Sequence, residues 1–128
     1  MAKGSAAGTD LANVILTGTF TATGQSLSTG LMGYYNFFVW GTPLSGGLSG
    51  SFSGTVQLEK SFDGGTTWIP ASLDTAGDAA AYTSAVSVTG LEIEPGMLYR
   101  VDCTAYTSGT INYRLSQTNP PSLPLFKI

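Results

Sequence analysis

The stretch "LYRVDCTAYTSGTINYRLSQ", Leu98–Gln117, alternates apolar and polar side chains along both halves, with Thr107, Ser108 and Gly109 between them. Period-two alternation puts successive side chains on opposite faces of a strand, so both halves read as strands. A three-residue loop, Thr107-Ser108-Gly109, with Gly109 in the left-handed conformation, predicts a hairpin. In that register Ala105 opposes Ile111, Cys103 opposes Tyr113 and Val101 opposes Leu115 on one apolar face. The other face pairs Asp102 with Arg114 and Thr104 with Asn112. A two-residue loop would instead set Cys103 against Arg114 and Asp102 against Leu115. The three-residue register is preferred because it segregates apolar from polar side chains and opposes unlike charges. It makes Cys103 a buried strand thiol, and Asp102 with Arg114 a surface pair worth about 0.2–1 kcal/mol.

Outward from this segment the strand pattern recurs. "NVILTGTFTA", from Asn13, begins apolar and then alternates. "YYNFFVW", Tyr34–Trp40, is aromatic and β-branched and reads as a central strand with both faces covered. In "TVQLEKSF", Val56, Leu58 and Phe62 share a face with Lys60, whose stem covers the core edge while its ammonium reaches water. Thr55, Gln57, Glu59 and Ser61 take the opposite face. A short strand near "TWIPAS" breaks at Pro70, and "YTSAVSVT" adds another. No segment shows sustained helical periodicity. Seven or eight strands in 128 residues argue for an all-β, two-sheet β-sandwich of jelly-roll or immunoglobulin-like type. Residues 1–12 read as a polar N-terminal arm, 13–117 as the sandwich, and 118–128, "TNPPSLPLFKI", as an extended proline-rich C-terminal arm.

Composition narrows the function. Only 10% of residues are charged, against about 25% in an average soluble domain, which favours a surface partly hidden against neighbours. The five basic residues are scattered and the net charge is −3, so no basic stripe exists for nucleic acid. The N-terminal residues lack the apolar core of a signal peptide, and "LMGYYNFFVW" is too short to cross a bilayer. There is no histidine, which removes Ser-His-Asp and Cys-His catalysis and His-ligated zinc. Cys103 is the one cysteine, and nothing in the proposed hairpin activates it. Glycosidase chemistry needs two facing carboxylates, one kept protonated. Asp63 is committed to a turn, Asp102 to Arg114, and Glu92 and Glu94 flank Ile93 on an edge facing water. The expectation is a protein without enzymatic activity, cofactor or metal.

Two short motifs invite comparison. "SFDGGTTW", Ser61–Trp68, resembles the Asp box of sialidase-type propellers through Ser61, Asp63, Gly65, Thr67 and Trp68. Asp63 accepts turn amides, Gly64 and Gly65 permit positive φ, the threonines extend the next strand, and Trp68 folds back as a lid. One copy in a chain too short for several blades marks a structural turn and not an active site. "LEIEPGMLYRV" resembles the tyrosine-corner segment of fibronectin-III and immunoglobulin-like sandwiches, in which the phenol, here Tyr99, bonds back to upstream backbone. Trp40, Trp68, Tyr34, Tyr82 and Tyr106 form a sugar-stacking platform if exposed. Core burial is the commoner fate of strand aromatics.

The run from "FSGTVQLEKSFDGGTTW" through "LYRVDCTAYTSGTINYRLSQ" is similar to small β-sandwich structural proteins of tailed bacteriophages, over Phe52–Gln117. That resemblance implies a virion protein assembled in the host cytoplasm and placed on the capsid surface. There it acts as a decoration or cement subunit, a homotrimer bound to the major capsid protein. Fibre, head-spike and neck or tail modules, some binding host glycans, are the alternative. The terminal Leu123, Leu125, Phe126 and Ile128 are the expected assembly contacts.

Overall fold

The computed structural model describes residues 14–43, 46–73 and 77–117. Among them are ten strands: β1 (Val14–Phe20), β2 (Gly24–Gln25), β3 (Thr29–Gly30), β4 (Gly33–Gly41), β5 (Ser53–Ser61), β6 (Ile69–Pro70), β7 (Ala81–Tyr82), β8 (Val86–Glu92), β9 (Leu98–Ser108) and β10 (Ile111–Gln117). No helix accompanies them among the described residues. They form two antiparallel sheets. Sheet one has the order β1-β10-β4-β8. In sheet two β9 and β5 lie side by side at the centre, β2 and β3 edge β9, and β6 and β7 edge β5. The all-β sandwich expected from alternation is the architecture found. The strands outnumber the seven or eight expected because short two-residue pieces complete both edges of sheet two.

Alternation explains the core. Tyr35, Phe37 and Val39 of β4 and Ile111, Tyr113 and Leu115 of β10 point inward from sheet one. Val56, Leu58, Tyr99, Val101 and Cys103 point inward from sheet two. Rings meet across the gap, with Tyr35 and Tyr99 centroids 5.0 Å apart and Phe37 and Tyr82 6.1 Å apart. Full burial of each such side chain contributes about 1.5–3 kcal/mol, so this inner layer is the main stabilising term.

The hairpin expected over Leu98–Gln117 does not form. β9 pairs with β5, while β10 sits between β1 and β4 in the other sheet. The turn therefore crosses from one sheet to the other, with Gly109 at φ 87° as the left-handed residue. A Cβ there would sit 3.0 Å from the Phe52 Cα, and Tyr106 Oη donates to the Gly109 carbonyl at 2.5 Å. Alternation decides which side chains face the core, but in a two-sheet sandwich that rule is met equally by strands lying side by side or face to face. Val101, Cys103, Ile111, Tyr113 and Leu115 are all buried, and they meet across the core instead of along one sheet. Register irregularities in β9 between Cys103 and Ala105 and between Tyr106 and Ser108 leave Ala105 exposed and turn Tyr106 toward the core.

Three further expectations are corrected. β4 is central, but only one of its faces is covered by the described residues: Tyr34 is 69% exposed and Phe38 and Trp40 are half-buried on the outside. Phe62 lies just beyond the end of β5 and is exposed, because the strand gives way to the turn before its ring reaches the core. Glu92 is buried instead of facing water. Both arms, and with them Leu123, Leu125, Phe126 and Ile128, lie outside the described residues.

Candidate functional site

The 61–68 turn is built from side chain to backbone. Ser61 is fully buried at the end of β5, and its hydroxyl donates to Asp63 Oδ1 at 2.7 Å while accepting the Gly65 amide at 2.9 Å. The same Asp63 oxygen accepts the Thr67 amide at 2.8 Å. Gly64 and Gly65 take φ of 76° and 98°, and the Trp68 indole N–H closes the loop on the Gly65 carbonyl at 3.0 Å. The Thr67 amide first, then Ser61, hold the Asp63 carboxyl down at about 2. Thr66 and Thr67 stay in the turn, and the next strand starts only at Ile69. The Ser61 hydroxyl, the Asp63 carboxylate and the Trp68 indole are thus all engaged within the turn itself.

The tyrosine-corner comparison holds only in direction. Tyr99 Oη bonds upstream, but to the Glu92 carboxylate at 2.6 Å and not to backbone. Lys60 Nζ of β5 donates to the same oxygen at 2.7 Å, and the Glu94 amide to the other oxygen at 3.0 Å. Glu92 belongs to sheet one, whereas Lys60 and Tyr99 belong to sheet two. The trio therefore bolts the sheets together at one end. Burial pushes the Glu92 carboxyl up, but Lys60, Tyr99 and the Glu94 amide outweigh it and leave the net shift downward. Burial, then the bond to Glu92, pushes the Tyr99 phenol up. The Lys60 ammonium is thus tied to a carboxylate instead of ending in water.

The outer face of sheet two is a closed ionic network. Arg100 Nε donates to Glu59 Oε1 at 2.8 Å, and the guanidinium stacks 4.4 Å from the Trp68 ring. Gln57 Nε2 donates to Glu59 Oε2 at 2.8 Å, and Gln25 Nε2 to Asp102 Oδ1 at 3.1 Å. Asp102 is raised by burial and then by its Glu59 neighbour, against the Gln25 bond. Its partner is therefore Gln25, and Arg114 stands on the opposite outer face of the sandwich. Cys103 is buried, and its thiol is pushed up by burial and then by the Asp102 charge, which keeps it protonated and unreactive at neutral pH.

No described element packs on the outer face of sheet one. Registers place Arg114 opposite Phe38 and Thr17, Asn112 opposite Trp40, and Ser116 opposite Asn36 and Ile15. Of the five candidate platform aromatics, Tyr34 and Trp40 share this face. Trp68 lies over Arg100, and Tyr82 and Tyr106 pack against the core. Arg114 differs from the other described cations: its buried Nε has no hydrogen-bond partner. Sequence reasoning missed this because it gave Arg114 to Asp102. The usable signal was the outward row Asn112, Arg114, Ser116, which places the cation among uncharged neighbours.

Among the described residues no three His, Cys, Asp or Glu side chains gather into a metal site, and no helix is long and apolar enough to cross a membrane. No protein family, curated protein or solved structure matches this chain.

Proposed function

We propose that this chain is a non-enzymatic virion protein of a tailed bacteriophage. It is a capsid decoration or cement subunit that acts as a homotrimer and stabilises the head by bridging neighbouring capsomers. The observation that carries the reading is the apolar end of the sandwich. Met32, Phe62 and Ile93 are 47%, 60% and 77% exposed at the end bolted by Glu92, Lys60 and Tyr99. Val14 and Gln117, the first and last described residues, pair with each other at this same end. A surface of this kind gains about 25 cal/mol for each Å² of apolar area covered by a capsomer, and a charge content of 10% offers little to resist that contact. The test is co-sedimentation of the recombinant protein with expanded heads that lack it. Co-pelleting that is lost in a Phe62→Asp, Ile93→Asp double variant is expected, and a wild-type protein left in the supernatant overturns the proposal.

The aromatic outer face of sheet one favours a second reading, a fibre, head-spike or neck module that engages host-surface glycans. Tyr34 and Trp40 on that face are the side chains such a function needs.

A further inference from the structure

We infer that the outer face of sheet one holds a binding site for an acidic saccharide, with Arg114 taking the sugar carboxylate and Tyr34 carrying the ring. The face is indented by a depression of about 380 Å³ next to the apolar end. Arg114, Tyr34, Phe38, Asn36, Thr89 and Ser116 are among its lining, and no carboxylate of the described residues is. Among the described residues Arg114 has no acidic neighbour in the depression, on a protein of net charge −3. The Arg114 Nε is buried without a hydrogen-bond partner among the described residues, so no carboxylate there ties up the guanidinium, and its terminal nitrogens are the donors left for an acceptor in the depression. A carboxylate matches the guanidinium fork better than any neutral group does.

The rest of the depression suits the remainder of a sugar. Tyr34 offers a flat ring 69% exposed, and its backbone is held by Gln117, whose Nε2 donates to the carbonyls of Met32 and Tyr34. Thr89 Oγ1 donates to Asn36 Oδ1 at 2.8 Å, which occupies that oxygen and leaves the Asn36 amide nitrogen as a donor for a sugar hydroxyl. An exposed aromatic beside fixed amide and hydroxyl groups and one cation is the chemistry of a pyranose bearing an acid. The inference deepens the glycan-binding reading and rests on it for the saccharide half of the ligand. It is independent of the capsid-binding test, which uses a different surface.

The experiment is a titration of the isotope-labelled full chain, followed by proton–nitrogen correlation spectra, with digalacturonate, its dimethyl ester and acetate as probes. Digalacturonate is expected to shift the amides of Asn36, Thr89 and Arg114. The ester, which keeps the ring and loses the charge, is expected to bind about tenfold or more weakly, as is Arg114→Gln with digalacturonate. Arg114→Lys retains part of the affinity, and Tyr34→Ala weakens binding while leaving the preference for acid over ester. The spectra themselves report that each variant is folded. Equal binding of acid and ester, unchanged binding by Arg114→Gln, or no shifts with digalacturonate overturns the site. Acetate binding as tightly as digalacturonate overturns the saccharide half.

Discussion

The two outer faces of this sandwich are built from the same kind of strand and end in opposite states. On sheet two the polar groups are tied to one another within the chain: Arg100 lies between Glu59 and Trp68, and Asp102, crowded by Glu59, accepts from Gln25. On sheet one Arg114 sits among Phe38, Asn36 and Tyr34 with its Nε unpaired. A face whose polar groups are satisfied internally stabilises the fold and has little left to offer a ligand. A face that leaves a guanidinium and an exposed ring idle does the reverse.

The contrast breaks most visibly where charge is buried. Glu92→Ala leaves the buried Tyr99 hydroxyl without its acceptor and the partly exposed Lys60 ammonium without its partner, and is expected to cost about 2–3 kcal/mol in denaturant unfolding. Arg114→Gln, removing a charge of the same size from the idle face, is expected to change stability by less than about 0.5 kcal/mol. Equal losses for the two variants would erase the distinction. Next in size is Trp68→Ala, which removes the lid from the turn and the ring from Arg100. A loss of about 1–2 kcal/mol is expected from these contacts, read in the same unfolding experiment.

The smallest effects are those of pH, and they carry opposite signs. Asp63 titrates at about 2 in the fold against an ordinary 3.8, so its contribution is present above 3.8 and is lost as pH falls through about 2. Asp63→Ala should therefore lower the melting temperature at neutral pH, with the deficit shrinking below pH 3.8. Asp102 is raised, so the fold favours its neutral form and loses stability once the unfolded chain ionises. Asp102→Asn should raise the melting temperature at neutral pH, and the gain should vanish below pH 3.8. Melting curves of both variants across acid pH check the pair, and a shared sign would contradict it.

The sequence made the fold class and the core legible because alternation reports directly on burial. Val56, Leu58, Val101 and Leu115 all occupy apolar positions of alternating runs and are fully buried. The 61–68 turn was legible for another reason: its bonds are local, spanning two to four residues. What could not be read was partnership at long range. The 107–110 turn carries the same glycine signal as a hairpin yet passes between sheets, since nothing within twenty residues distinguishes a neighbour beside a strand from one across the core. That single misassignment matched Asp102 to Arg114 and so hid the idle cation. The buried Glu92 escaped notice for the same reason, because its lysine lies thirty-two positions away in sequence.

The central claim, that this chain serves as a building block on a phage head, is tested most directly by its copy number in purified virions, measured by quantitative mass spectrometry against the major capsid protein. The account predicts hundreds of copies per particle, in fixed ratio to capsomers. A dozen copies or fewer, or absence from the particle, would contradict it.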